Sequence, residues 1–204
     1  MPMSCRRSVA VLAALFLSAQ AAGAYHYPLQ SEAVRDAYFL GERNNFQTTD
    51  CLLQYVKHFS EPSSGRYFIA EIQIATPYQQ IVLRGQRDTP GDSEVQTETD
   101  LRNQPLNFIV RVRIGLNFDD RDIPKQPSVW PALSPDLAIH VTQRHALTSI
   151  SETHEGVYNH HALVGWLFEL QFNAAKIRSA PLRISVKTPD GQIQEAEFDM
   201  AKIQ

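Results

Sequence analysis

Three of the chain's seven histidines stand within eleven residues, in SETHEGVYNHH, Ser151 to His161, with Glu152 and Glu155 among them. Imidazole and carboxylate are the groups that hold zinc or move protons near neutral pH. His140 and His145 lie just upstream. The candidate metal ligands are therefore His140, His145, His154, His160 and His161. Their spacing matches no zinc template. THEG lacks the second histidine, four residues on, that HExxH needs to put two ligands on one helix face. On a strand, adjacent His160 and His161 would point to opposite faces, and position 142, which would share a face with His140, is threonine. Any ligand set would have to be assembled by the fold. Read locally, SETHEGVYNHH is a polar connection leading into the apolar stretch that begins near Val164. With an ordinary pKa of about 6.5, its histidines would make the charge of that connection depend on pH.

Other residues offer less. Asp119, Asp120 and Asp122 carry calcium-type oxygens, but Arg121 interrupts them and the glycine and spacing of a calcium loop are missing. Cys51 follows the capping residues Thr48 to Asp50, and a helix N-terminus would stabilise its thiolate. No nucleophile signature surrounds it, and the sequence contains no GxSxG. A packed thiol is the expected role. The binding candidates are Trp130, in a segment with four prolines (119–135), and Tyr158. Rings in loops at the end of a β-sandwich can anchor a sugar or a protein partner.

The chain's ends and charge narrow the setting. MPMSCRRSVAVLAALFLSAQAAGA has Arg6 and Arg7, an apolar run from Val9 to Leu17, and Ala22-Gly23-Ala24. That order is the pattern of a cleaved secretory signal over residues 1–24, and the run is shorter than the roughly 20 residues a membrane span needs. The whole chain carries 19 basic and 22 acidic residues. Since the signal holds two arginines and no acid, the mature chain has 17 and 22, a formal net charge of −5. An acidic exported chain is poorly suited to nucleic acid, which requires clustered Lys and Arg. No membrane span is expected in the mature chain. Only Cys51 remains after cleavage, so an intrachain disulfide is ruled out there and the hydrophobic core must carry stability.

The elements that would position these residues follow from apolar period. SEAVRDAYFLGERN repeats Val34, Ala37 and Tyr38 at helical spacing, with Ser31 as a cap and Gly41 where a helix would end. TTDCLLQYVKHFS puts Leu52, Tyr55, Val56 and Phe59 on one helix face. After the EPSSG linker, residues 61–65, the period changes to two. RYFIAEIQIA would turn Phe68, Ala70, Ile72 and Ile74 inward, while NFIVRVRIGLNF and VGWLFELQF alternate without a break. LRISVKTPDGQIQEAEFDM reads as two strands around Pro189-Asp190-Gly191. PYQQIVLRG and DLAIHVT complete seven candidate strands. Strands with one apolar face need a second layer. The expected fold is mainly β, an antiparallel sandwich-like domain over 66–204, preceded by a helical segment over 25–65 with two short helices.

EAVRDAYFLGERN, together with the tail TPDGQ…EFDMAKI, resembles exported bacterial proteins that share a domain of unknown function. The resemblance implies a bacterial secretory setting and assigns no activity or site residue. The sequence therefore points to an exported, periplasmic or extracellular, non-catalytic binding module with a protein or glycan partner and no cofactor. The alternative is a zinc-dependent hydrolase using the histidine-rich segment 140–161.

Overall fold

The computed structural model describes residues 24–61, 64–87, 106–117, 135–159 and 162–203. Helices α1 (Ser31–Arg43) and α2 (Phe46–Leu53) come first. Strands β1 (Val56–His58) and β2 (Tyr67–Ala75) lead to helix α3 (Pro77–Arg87). The rest is strand: β3 (Phe108–Leu116), β4 (Ala138–Gln143), β5 (His145–Ala146), β6 (Ser151–Asn159), β7 (Ala162–Phe172), β8 (Leu182–Lys187) and β9 (Ile193–Phe198). Sheet A has the order β1-β2-β3-β7-β6 and sheet B the order β5-β4-β8-β9; every pairing is antiparallel. One core draws on both: Ile72, Ile74, Phe108, Val110, Val112 and Phe172 from sheet A meet Val141, Leu182, Ile184, Val186 and Phe198 from sheet B. The protein is thus mainly β, with two antiparallel sheets in a sandwich-like arrangement after two short helices.

Four local expectations change. PYQQIVLRG is helix α3 and not a strand. Thr76 accepts the Gln79 N–H through its hydroxyl at 3.1 Å, and Pro77 takes the first helical position, where its missing N–H costs nothing. Tyr78, Ile81, Val82 and Gly85 then form one buried face, packed on Val34, Ala37 and Gly41 of α1. In the second helix, Asn45 is the cap, in a reciprocal capping box with Thr48, and the helix ends at Leu53. Val56–His58 leaves helical geometry because pairing with Ile72 and its neighbours in β2 satisfies its backbone. In β2 the register shifts between Ile69 and Glu71. Ile69, Ile72 and Ile74 are therefore buried, while Phe68 lies across Gly115 on the opposite face. Fourth, Gly41 lies inside α1; Asn44, at φ 42°, ends that helix.

The β8–β9 turn forms as its sequence suggests, with Gly191 at φ 88°. Asp190 also ties the two sheets together, since its carboxylate accepts the backbone N–H groups of Arg66 and Tyr67 at 3.1 and 3.3 Å, and the Thr188 hydroxyl. Partial burial would raise its pKa, but these hydrogen bonds outweigh it and hold the carboxyl below 3.8. A depressed folded-state value means the stabilisation is present in full above the unfolded value and lost as pH falls through the folded one. Asp190→Ala should cost about 1 kcal/mol at pH 7, less than the roughly 1.5–3 kcal/mol of a buried charged hydrogen bond because the group is largely exposed and screened by solvent. Urea unfolding of both proteins checks this, with the difference shrinking as pH drops below 3.8.

Candidate functional site

SETHEGVYN is not a connection. It is β6, the edge strand of sheet A, paired with β7 from Ser151↔Gln171 to Asn159↔Ala162. Its sequence lacks an apolar alternation because most of both faces is open to solvent. Directly opposed residues share a face, so Glu152 lies beside Leu170, His154 beside Phe168 and Gly156 beside Trp166. Those three β7 residues turn toward the core side, where Trp166 and Leu170 are buried. The His154 and Phe168 rings lie 5.8 Å apart at an interplanar angle of 32°.

Sheet B does not reach across this end of sheet A. Between β4 and the β6–β7 pair lies a cleft of about 520 Å3. Leu137, Ile139, Phe168 and Leu170 give it apolar surface; Asp136, His140, Glu152 and His154 are its titratable polar residues besides Glu169. Leu137, Ile139 and Phe168 are only half-buried, and so form an accessible margin of the main core. Glu152 accepts the Ser149 hydroxyl at 2.6 Å. Glu169 is occupied on the other face of sheet A by Arg111, at 2.9 Å.

The described histidines do not gather into a metal site. His140 and His154 both line the cleft, although Ile139 and Val141 face the core opposite buried Val186 and Ile184 and alternation puts His140 on the other face of β4. His145 is exposed on β5, opposite Gln143. Among the described residues no group of three or more His, Cys, Asp or Glu side chains could hold a metal ion. His160, His161 and Trp130 lie outside the described residues, as do Asp119, Asp120 and Asp122. Tyr158 is 59 % exposed, and its ring folds back beside Gly156. It does not line the cleft.

The local argument for a reactive Cys51 fails. The residue lies in the last turn of α2, not its first. Burial pushes its thiol pKa up, against smaller opposing hydrogen bonds with the Gln54 and Tyr55 side chains. Burial likewise pushes the neighbouring Tyr78 up to about 12. This is a protonated packing thiol between the helical and main cores.

The alternation of VGWLFELQF made Phe168 legible as an inward residue and DLAIHVT was legible as a strand, but the placement of Phe168 and Ile139 at a cleft was not. The available signal was the polar character of β6: a strand next to VGWLFELQF with no apolar face of its own leaves part of that neighbour uncovered. No helix of the described residues is long and apolar enough to cross a membrane. No protein-family model, curated protein or solved structure matches the chain.

Proposed function

We propose that the protein is an exported, non-catalytic binding module of the bacterial cell envelope, and that its contact site for a protein or glycan partner is the cleft between β4 and β6. The observation that carries this reading is an accessible apolar margin, Phe168 with Leu137 and Ile139, rimmed by Asp136, Glu152 and His154. Apolar surface with a few convergent polar groups is what a binding site requires. The signal-like N-terminus and the acidic mature chain support an envelope setting.

The test uses the mature chain, residues 25–204, against isolated sacculi, lipopolysaccharide and purified envelope proteins. Binding should weaken about 10-fold in a Glu152→Ala/His154→Ala double variant, both side chains being solvent-exposed rim groups. Binding to none of these materials overturns the reading.

Zinc separates this reading from the metal-dependent hydrolase. A variant with His154, His160 and His161 all changed to Gln is compared with the wild type by thermal unfolding at pH 5.5 and 7.5, with and without zinc. The melting temperature is expected to shift by less than about 1 °C with zinc in either protein, because a site binding only the folded state would raise it by mass action. A zinc-dependent rise lost in the triple variant, together with chelator-sensitive turnover, would establish the hydrolase instead.

A further inference from the structure

Two strand edges flank the cleft. Strand β6 ends sheet A, and among the described residues nothing pairs with its outer side. In sheet B, β5 pairs with β4 at Thr142 and Gln143, and among the described residues nothing pairs with Ala138–His140 on the side away from β8. An unpaired edge presents a row of free N–H and C=O groups, which soluble proteins usually blunt with charged side chains, above all lysine, or with proline, a bulge or a very short strand. On β6 the only such charges are Glu152 and Glu155. The nine residues of β6 contain no Lys, Arg or Pro. Their one irregularity, between Val157 and Tyr158, lies near the far end. Among the described residues Ser151–Gly156 is a regular, unpaired template directly beside the accessible margin of the core.

Charge selects what this template takes. Glu152 and Glu155 lie three residues apart on opposite faces of β6, opposite Leu170 and Leu167, and Asp136 stands across the cleft. No basic residue pairs with any of the three among the described residues. A second copy would add its own Glu152 and Glu155 beside these with no Lys or Arg in the segment to offset them, and like charges close together destabilise a ladder. A glycan would leave the backbone edge unread. An extended polypeptide bearing Lys or Arg answers both features, because main-chain bonds supply affinity and alternate side chains supply specificity.

We infer that β6 receives a strand from a partner protein, and that this strand carries a basic residue opposite Glu152, an apolar residue opposite His154 and a basic residue opposite Glu155. The apolar side chain lies against the His154 and Phe168 rings and covers the margin of the core. The inference rests on the reading of the protein as a binding module and specifies its partner.

The probe is a labelled nine-residue peptide, threonine-rich, with Lys-Val-Thr-Lys at its centre. Controls carry the same residues scrambled, Glu in place of Lys, or N-methyl groups on alternate backbone amides. Binding to residues 25–204 is followed by fluorescence anisotropy, and amide hydrogen exchange is followed by NMR. The basic peptide is expected to bind and to slow exchange within Ser151–Gly156 about 10-fold, since pairing removes open-edge exposure. Its affinity should fall with added salt and by at least about 10-fold on N-methylation, which removes ladder donors. A folded Glu152→Lys/Glu155→Lys variant should prefer the Glu peptide. Equal binding of the N-methylated peptide, or binding without protection of Ser151–Gly156, overturns strand addition. Glu152- and His154-dependent glycan binding with no peptide binding overturns it while the binding-module reading survives. Binding to neither peptide nor envelope material removes both. A concentration-dependent dimer with the same protection assigns the edge to a second copy and also overturns the proposal.

Discussion

Phe108→Ala is expected to destabilise the protein by about 3–5 kcal/mol, the range for truncating a fully buried aromatic ring. Phe108 is completely buried at the start of β3, where it pairs with Phe172 of β7. Its ring also meets Tyr25 edge-on, at a centroid distance of 6.2 Å. Tyr25 itself is held by a hydroxyl bond to the Ala174 carbonyl at 2.9 Å and by its own N–H to the Met200 carbonyl, also at 2.9 Å. Its neighbours are strand and chain-end segments fixed by their own hydrogen bonds, so the cavity would collapse poorly. Urea unfolding at pH 7 measures the loss. For a domain of this size each kcal/mol moves the melting temperature by about 2–4 °C, so the melting temperature should drop by about 6–20 °C. A loss below about 1 kcal/mol would mean that Phe108 is not packed as described.

Gly41→Ala should lower stability by about 2–3 kcal/mol, although alanine is the better helix former. A Cβ at Gly41 would fall 2.1 Å from the Val82 carbonyl oxygen and 3.0 Å from the Gly85 Cα. The contact is reciprocal, since a Cβ at Gly85 would fall 2.3 Å from the Tyr38 carbonyl oxygen. These are backbone atoms of packed helices, and separating α1 from α3 would also loosen Val34, Ala37, Tyr78, Ile81 and Val82. The helix-propensity gain of about 1 kcal/mol is smaller than the overpacking cost, which exceeds the usual 1–3 kcal/mol when no side chain can yield. Arg43→Ala, on the exposed last turn of α1, is the control and should change stability by less than about 0.5 kcal/mol. Gly41→Ala matching that control would exclude the close crossing.

Much of the sandwich was legible because its strands carry their own pattern. In NFIVRVRIGLNF the alternation of Phe108, Val110, Val112 and Ile114 with Arg111 and Arg113 needs no partner to be read, and those four residues are buried. The turn at Pro189-Asp190-Gly191 was legible for the same local reason, because only certain residues accept its dihedral angles. In PYQQIVLRG a helical signal was also present, in the Thr-Pro start and in Tyr78, Ile81, Val82 and Gly85 at helical spacing. Its short apolar run fits either period, and a cover from α1 settled it as helix.

The sequence by itself determined the mainly β class, two helices near the N-terminus, an acidic chain and the core face of β3 and β7, because hydrophobic period, turn chemistry and charge are local properties. Tertiary structure decided the rest. Gly41 reads as a helix end until α3 is placed against it. SETHEGVYN reads as a polar connection until β7 supplies the hydrogen bonds that make it a strand. His140 and His154, on separate strands, come to the two sides of one cleft only because pairing with β8 and β7 places β4 and β6 there. The cleft has no sequence signature, because it arises where sheet B stops short of the β6 end of sheet A. Where one sheet ends relative to another is set by long-range pairing and packing, which no window along the chain contains.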